Sequence, residues 1–350
     1  MAIERVLIIG AGSIGNHMAH AARSLKWEVT ISDRDPEALS RTRDDIYPKR
    51  YGSWDEGIQI LPDLESCTGE FDLVVVGTPP TTHLRLAREA LAFNPKSILI
   101  EKPLTAPECD TAFEDLERLN HSGARIFIGY NHVVAKSVSH FLEVANSGSL
   151  GQIREVEVRI LEHWGGIFKA HPWLSGPAES YLGSWREGGG ALSEHSHGLN
   201  LWQHIARQIG GGEASVAESH LRMRLHAGRE YDESFHCSLV SEFGLSGTCT
   251  QDVITEPSTK TAKIVGSKGE LQLTLSPNLD SVAWISPESL QESTEFPKDR
   301  ASDFITELLA IDEALERGAP SALDLEWGMR TDKLITDVLS GASRTFPDEI

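Results

Sequence analysis

The chain is expected to be an α/β protein of two domains, an N-terminal doubly wound parallel sheet and a C-terminal α/β domain on a large, mostly antiparallel open sheet. Three observations predict this. The 350 residues exceed two domains' worth at roughly 150 each. The first third alternates short apolar runs at 6–9, 27–31, 71–76, 98–100 and 125–128 with helical stretches such as 16–24 and 81–93, the rhythm of βαβ units. After Tyr130 the texture changes to consecutive strand-like segments.

The apolar run Leu73-Val74-Val75-Val76 suits a strand covered on both faces, as in a parallel sheet. In the second half, residues 153–161 alternate Ile and Val with Arg and Glu, the period of a half-exposed strand. Further strands are expected at 219–225, 235–243, 246–253, 261–265, 270–274 and 281–285. Helices are expected at 137–145, 301–317 and 327–339. The expected domains are 1–129 and 130–350, with the closing helices free to pack back on the first.

Composition excludes several classes. The 52 acidic against 32 basic side chains give a formal charge of −20, a field that repels nucleic-acid backbones and anionic lipid. The 40% hydrophobic and 24% charged fractions are those of a globular chain. No apolar run approaches the roughly 18 residues of a membrane helix, and the early glutamate with the four-residue run 6–9 does not read as a signal peptide. A cytoplasmic protein is expected. Cys67, Cys109, Cys237 and Cys249 are too dispersed for a zinc knuckle or a disulfide framework, and no metal site is expected.

Directly after the first strand stands Gly10-Ala11-Gly12-Ser13-Ile14-Gly15, opening a helix. The first glycine permits a tight turn, the second lets a pyrophosphate approach the backbone, and the third allows helix and strand to pack closely. Asp33 ends the second strand, 18 residues after Gly15, where an acid can accept from the ribose hydroxyls of NAD and repel the 2′-phosphate of NADP. Its neighbour Arg34 could hold that phosphate, so NADP stays possible behind NAD.

Thr78-Pro79-Pro80-Thr81-Thr82-His83, Glu101-Lys102-Pro103 and Gly129-Tyr130-Asn131 follow successive strands, at the edge of a parallel sheet where ligands bind. With Gly188-Gly189-Gly190-Ala191-Leu192 and Val265-Gly266-Ser267-Lys268-Gly269, this ordered set resembles the Gfo/Idh/MocA family of nicotinamide-dependent oxidoreductases. The resemblance implies a Rossmann domain, an open-sheet second domain carrying a substrate pocket, and a homodimer or homotetramer. It implies cofactor contacts from Gly10, Gly12, Ser13, Ile14, Gly15, Asp33, Arg34, Thr78, Pro79, Pro80, His83, Glu101 and Lys102. It further implies that Lys102 touches the substrate hydroxyl and that Lys102-Pro103 can be a cis peptide.

After the triple glycine the family pattern has an Asp and then a His; this chain has Ser193-Glu194-His195-Ser196-His197 and then Asn200. His197 matches the catalytic His, His195 is its rival, and Glu194 stands where the Asp would be. Three apart, Glu194 and His197 would share a face on a helix.

Four of eight tryptophans, Trp164, Trp173, Trp185 and Trp202, crowd into residues 163–202 together with His163, His171, Arg186 and eight glycines. Flat rings beside hydrogen-bonding groups suit a polyhydroxylated ring. Asn131, His163, Trp164, Trp173, Trp185, Arg186, His195 and Asn200 are therefore the candidate substrate contacts. His171-Pro172-Trp173 and Glu179-Ser180-Tyr181 resemble the family branch of sialic-acid-like sugar biosynthesis, which implies an amino sugar or sugar nucleotide. The expected reaction passes hydride between the nicotinamide and a secondary hydroxyl of a sugar, cyclitol or sugar derivative, with Lys102 and His197 exchanging the proton. A sensor or assembly protein that binds nicotinamide without turnover, or a lyase or epimerase using transient oxidation, fits the same residues.

Overall fold

Short runs of apolar and β-branched residues build the first sheet: β1 Arg5–Ile9, β2 Glu28–Ser32, β3 Ile58–Leu61, β4 Leu73–Val76, β5 Ser97–Ile100 and β6 Arg125–Ile128. The computed structural model describes residues 2–109, 111–170, 173–286 and 289–346. Its strand order is β3-β2-β1-β4-β5-β6, with every neighbouring pair parallel. All four residues of β4 are fully buried, each contributing about 1.5–3 kcal/mol over exposure. That explains why β4 is legible as an unbroken apolar run.

One of the six strands was not expected. β3 is a four-residue edge strand in which only Ile58 is buried, so it shows neither an apolar run nor a long alternation. The order reverses between β1 and β4, and the carboxyl ends of those two strands lead into Gly10 and Gly77. Between the strands run α1 Ser13–Ser24, α2 Pro36–Arg41, α3 Tyr47–Tyr51, α4 His83–Ala90 and α5 Ala112–Asn120.

The chain divides into two compact units, Met1–Asn131 with Ala301–Gly328 and His132–Arg300 with Met329–Ile350. The second unit carries α6 Lys136–Asn146, β7 Ile153–Leu161, α7 Gly165–Ala170, α8 Gly190–Glu194 and α9 His197–Gln208. Then follow β8 Ala214–His226, β9 Arg229–Ser241, β10 Ser246–Asp252, β11 Thr259–Gly266, β12 Gly269–Leu275, β13 Leu279–Ile285 and β14 Leu290–Pro297. The chain closes with α10 Arg300–Arg317, α11 Leu325–Gly341 and β15 Ser343–Thr345.

The second sheet runs β14-β13-β12-β11-β7-β10-β9-β8-β15. It is antiparallel except where β7 meets β10 and β8 meets β15. Val156, Val158 and Ile160 of β7 are buried while Glu155 and Arg159 are exposed, which is the expected alternation. β8 and β9 form a longer hairpin than expected, because their exposed polar positions interrupt the apolar pattern without interrupting the ladder. Trp202 of α9 is fully buried, and its Nε1 donates to the Val156 carbonyl at 2.9 Å. It therefore anchors α9 to the sheet.

Candidate active site

In the first unit the glycine turn is held from several sides. Gly10 has φ of +112°, and a Cβ there would lie 2.6 Å from the Gly77 carbonyl oxygen, so neither its dihedral nor its surroundings admit a side chain. Its N–H donates to the Ser32 carbonyl at 2.9 Å. A Cβ on Gly15 would come within 2.0 Å of the Gly10 oxygen, whereas one on Gly12 would meet nothing within 4 Å. Gly12 thus borders open space at the N-terminus of α1, and no side chain caps that helix. The backbone N–H groups of Ser13, Ile14 and Gly15 open it, the arrangement that receives a pyrophosphate.

Asp33 is built into the same turn: Oδ2 accepts from the Ala11 N–H at 2.7 Å and Oδ1 from the Asp35 N–H at 2.9 Å. Two of its acceptor positions are used, and a carboxylate offers about four. Arg34 beside it is exposed. Three residues that the sequence reading missed complete the cradle. Buried Asn16 donates to the Gly12 carbonyl and to Thr42, and Thr42 donates to the Ala11 carbonyl. Arg50 donates to the Ser13 carbonyl and hydroxyl at 3.0 and 2.8 Å, which sets a guanidinium beside the mouth of α1. No motif announces these residues, because they come from separate turns.

Thr78, Pro79 and Pro80 follow β4, and the Thr78 hydroxyl pairs with that of Thr82 at 2.7 Å. Glu101, Lys102 and Pro103 follow β5, and the Lys102–Pro103 peptide is cis. Glu101 is buried and Lys102 half-buried. His83 joins the two turns: Nε2 lies 2.7 Å from the Thr78 oxygen and Nδ1 2.9 Å from the Pro103 oxygen. Both nitrogens face backbone carbonyls, so the ring spans the two turns, and as a neutral imidazole it donates to one of them. Burial first, and then the Lys102 ammonium, push its pKa down to about 4, so the ring is neutral. Asn131, half-buried, ends the first segment of this unit.

In the second unit the expected helical relation between Glu194 and His197 does not hold. α8 ends at Glu194, His195 and Ser196 form the break, and α9 begins at His197. Just past the break Gly198 packs on β10, where a Cβ would meet Gln251 Oε1 at 2.4 Å. The Gly198 N–H closes a tight turn on the His195 carbonyl at 2.9 Å. Glu194 instead accepts from the Tyr181 hydroxyl at 3.1 Å. The His197 ring lies against that of His132, centroids 4.2 Å apart.

His195 is 6% exposed. Burial alone would raise the nearby Glu162 carboxyl, yet Lys260, His195 and Arg300 together hold it below its ordinary value, and Lys260 Nζ pairs with Glu162 at 2.6 Å. Glu162 and Lys260 were missed because they lie about a hundred residues apart on β-strand flanks.

The triple-glycine turn rests on Asp232. Gly190 has φ of +79°, and a Cβ there would meet Asp232 Oδ1 at 2.0 Å. Oδ2 of the same carboxyl accepts from the Leu192 N–H at 2.6 Å. Burial raises the Asp232 pKa to about 7.

The expected aromatic cluster is divided. Trp164 packs in a core group with Leu182, Ala191 and Val253. Trp185 is stacked by the guanidinium groups of Arg186 and Arg344, and Arg186 also pairs with Glu230. Trp173 is 38% exposed, while His171 and Pro172 lie outside the described residues. His163 is exposed, and its Nδ1 accepts from the Gly165 N–H. Asn200 is buried and donates to Thr331 at 3.0 Å, which binds α9 to α11. Among the described residues no group of His, Cys, Asp and Glu is placed to hold a metal ion. No described helix is long and apolar enough to cross a membrane.

Residues 4–130 match the family model GFO_IDH_MocA, described as an oxidoreductase family with an NAD-binding Rossmann fold. Among curated proteins no match is found. Solved structures that are similar over nearly the whole chain include two dehydrogenases and a ketoreductase. Levoglucosan dehydrogenase, in complex with NADH and levoglucosan, is 16% identical, with 97% of this chain and 96% of that one covered and a TM-score of 0.76. KijD10, a 3-ketoreductase from Actinomadura kijaniata in complex with NADP and TDP-benzene, is 17% identical, with 98% and 99% covered and a TM-score of 0.75. The WlbA dehydrogenase from Bordetella pertussis, in complex with NADH and UDP-GlcNAcA, is 20% identical, with 96% and 95% covered and a TM-score of 0.67. At these identities the likeness shows a shared fold. Residues 4–130, which carry the glycine turn and the reversed strand order, are thus similar to the NAD-binding Rossmann fold of the Gfo/Idh/MocA oxidoreductase family.

Proposed function

We propose that the protein is an NAD-dependent dehydrogenase acting on a secondary hydroxyl of a sugar, cyclitol or sugar derivative. The observation that carries this reading is the convergence of the open Gly12 turn, Thr78-Pro79-Pro80 and Glu101-Lys102-Pro103 at one sheet edge, with His83 bracing the last two. The cradle fits a dinucleotide: Gly12 leaves room for a pyrophosphate, the N–H groups of α1 and Arg50 offer donors, and Asp33 keeps acceptor capacity for ribose hydroxyls. When bound, the nicotinamide supplies the hydride acceptor.

Lys102 takes the substrate hydroxyl proton as the alcohol is oxidised and returns it on reduction. The family resemblance also makes His197 a candidate proton-transfer group, and in the same unit the Tyr181 hydroxyl donates to Glu194. The sugar class is supported by levoglucosan in complex with one structural neighbour and a sugar nucleotide with another. The acid Asp33 favours NAD over NADP. We further read the chain as a cytoplasmic homodimer or homotetramer, which light scattering on the purified protein measures.

The test is a titration of NAD, NADP and their reduced forms by fluorescence, followed by a screen of sugars, cyclitols and sugar nucleotides at the reduced-nicotinamide band. Binding with turnover on a polyol supports the reading. Tight binding with no turnover on the whole panel overturns it in favour of a sensor or a lyase that returns its hydride.

A further inference from the structure

Strand β15 is three exposed residues at the edge of the second sheet, yet it reaches the triple-glycine turn. Ser343, Arg344 and Thr345 pair in parallel with His220, Leu221 and Arg222 of β8. The His220 ring stands between two hydroxyls, with Nδ1 2.9 Å from Ser343 Oγ and Nε2 3.2 Å from Thr345 Oγ1. Side chains alternate along a strand, so Arg344 takes the opposite face, the one on which Leu221 is buried. Its guanidinium carbon lies 5.0 Å from the centroid of the Trp185 ring, and Nη2 donates to the Leu339 carbonyl at 2.9 Å. All of these residues belong to the second unit.

Trp185 opens the turn that ends in Gly188-Gly189-Gly190. The Gly188 N–H donates to the Trp185 carbonyl at 3.2 Å and the Gly189 N–H to the Ser184 carbonyl at 2.9 Å. Beyond the glycines, the Leu192 N–H donates to Asp232 Oδ2 at 2.6 Å, α8 ends at Glu194 and α9 begins at His197. Buried indole N–H groups usually find a hydrogen-bond partner, but the buried Trp185 Nε1 has none among the described residues. Cations hold this ring instead: Arg186, the next residue, at 4.4 Å and Arg344, from the far end of the chain, at 5.0 Å. Burial raises the Asp232 carboxyl to about 7, and the Arg344 guanidinium pulls against that rise. Arg344 therefore acts on both ends of the turn, on Trp185 by stacking and on Asp232 by charge.

We propose that β15 is a strap on the triple-glycine turn and that Arg344 is a positioning residue for the reaction, holding Trp185 and with it the turn that leads to Glu194 and His197. The inference rests on the dehydrogenase reading, with His197 as a proton-transfer group. The pairing with β8 and the His220 contacts fix where the Arg344 backbone lies, and the guanidinium carries that constraint to the indole. Without the cation the turn keeps its glycine hydrogen bonds but loses its outer support, so the start of α9 is held less closely.

The test compares the full chain with Arg344→Ala and Arg344→Lys. Arg344 is exposed, so neither change empties a core position and both variants are expected to fold. Hydrogen exchange followed by mass spectrometry reads the turn directly. The segment 185–192 is expected to exchange about fivefold faster in Arg344→Ala, the upper range for one exposed cation on an aromatic ring, while β4 is unchanged. Arg344→Lys, which keeps a cation over the ring, is expected to restore most of the protection. On a turned-over substrate, kcat/KM is expected to fall by about the same factor in Arg344→Ala and to recover in Arg344→Lys, with NAD affinity unchanged in both. Unchanged exchange at 185–192 overturns the proposal, as does faster exchange there with kcat/KM unchanged. A fall in Tm with equal acceleration in both units assigns Arg344 a merely structural role and overturns it too. The exchange arm needs no substrate: loosening confined to the turn, in a protein that turns over nothing on the panel, supports the strap while rejecting the dehydrogenase reading.

Discussion

His83 and Pro103, twenty residues apart, meet through a 2.9 Å contact between an imidazole nitrogen and the proline carbonyl oxygen. The other nitrogen faces the Thr78 carbonyl at 2.7 Å, so one buried ring sets the spacing of two turns at the sheet edge. Replacing it by Ala is expected to lower kcat at least tenfold, by releasing the Lys102 turn, with a smaller effect on NAD affinity. Equal losses in kcat and in NAD affinity would count against the brace.

The same ring gives a stability signature. Its folded pKa of about 4 lies below the ordinary 6.5, so the unfolded chain takes up a proton first as pH falls. The contribution is complete above pH 6.5 and is lost as pH falls towards 4, amounting to about 3 kcal/mol. Urea unfolding of the parent and of His83→Ala across pH 4–7 checks this; parallel curves refute it.

Asp232 has the opposite sign. Its folded pKa of about 7 lies above the ordinary 3.8, so the folded state keeps a proton that the unfolded chain releases. Stability from this group falls as pH rises from 3.8 to about 7, by about 4 kcal/mol, and levels off above. In Asp232→Asn that slope is expected to vanish between pH 4 and 7, read as midpoint against pH in urea unfolding.

Gly190→Ala places a Cβ against Asp232 Oδ1 at φ of +79°. The expected loss is about 2–4 kcal/mol, from left-handed strain and overpacking together. In the Asp232→Ala background the overpacking part is relieved, so the two changes are expected to be non-additive. Additive losses would show that the two residues do not press on each other.

Asp33→Ser removes the acid from the glycine turn. Affinity for NAD is expected to fall about tenfold, equivalent to 1.4 kcal/mol, and the NADP to NAD affinity ratio to rise by more. Unchanged Kd values for both would take Asp33 out of cofactor selection.

Lys102→Ala is expected to cut turnover by two to four orders of magnitude, the usual share of a proton-transferring group. NAD affinity is expected to stay within about threefold, as a proton-transfer role leaves ground-state binding largely intact. Retained turnover would remove Lys102 from the chemistry.

The glycine turn, Asp33 and the two strand-end turns could be read from sequence, because each is a local pattern: an apolar run, then glycines or prolines at fixed spacing. The parallel first sheet and the largely antiparallel second sheet were legible for the same reason, since buried strands and alternating strands have different periods. Edge strand β3 escaped notice, being short and largely unburied on both faces.

Other features depended on contacts between distant segments. α8 ends at Glu194 and α9 starts afresh at His197, so helical spacing alone misplaced their shared face. Trp164, Trp185 and Asn200 look like pocket residues by type, yet the fold gives them a core cluster, two guanidinium groups and Thr331. Arg50, Asp232 and Arg344 belong to no motif. Sequence alone thus determined the order of the elements and the cofactor turn, because backbone geometry and hydrophobic period are local properties. Tertiary structure alone decided which buried acids keep their protons and which polar side chains brace the turns, because burial and charge proximity are set by residues far apart in the chain.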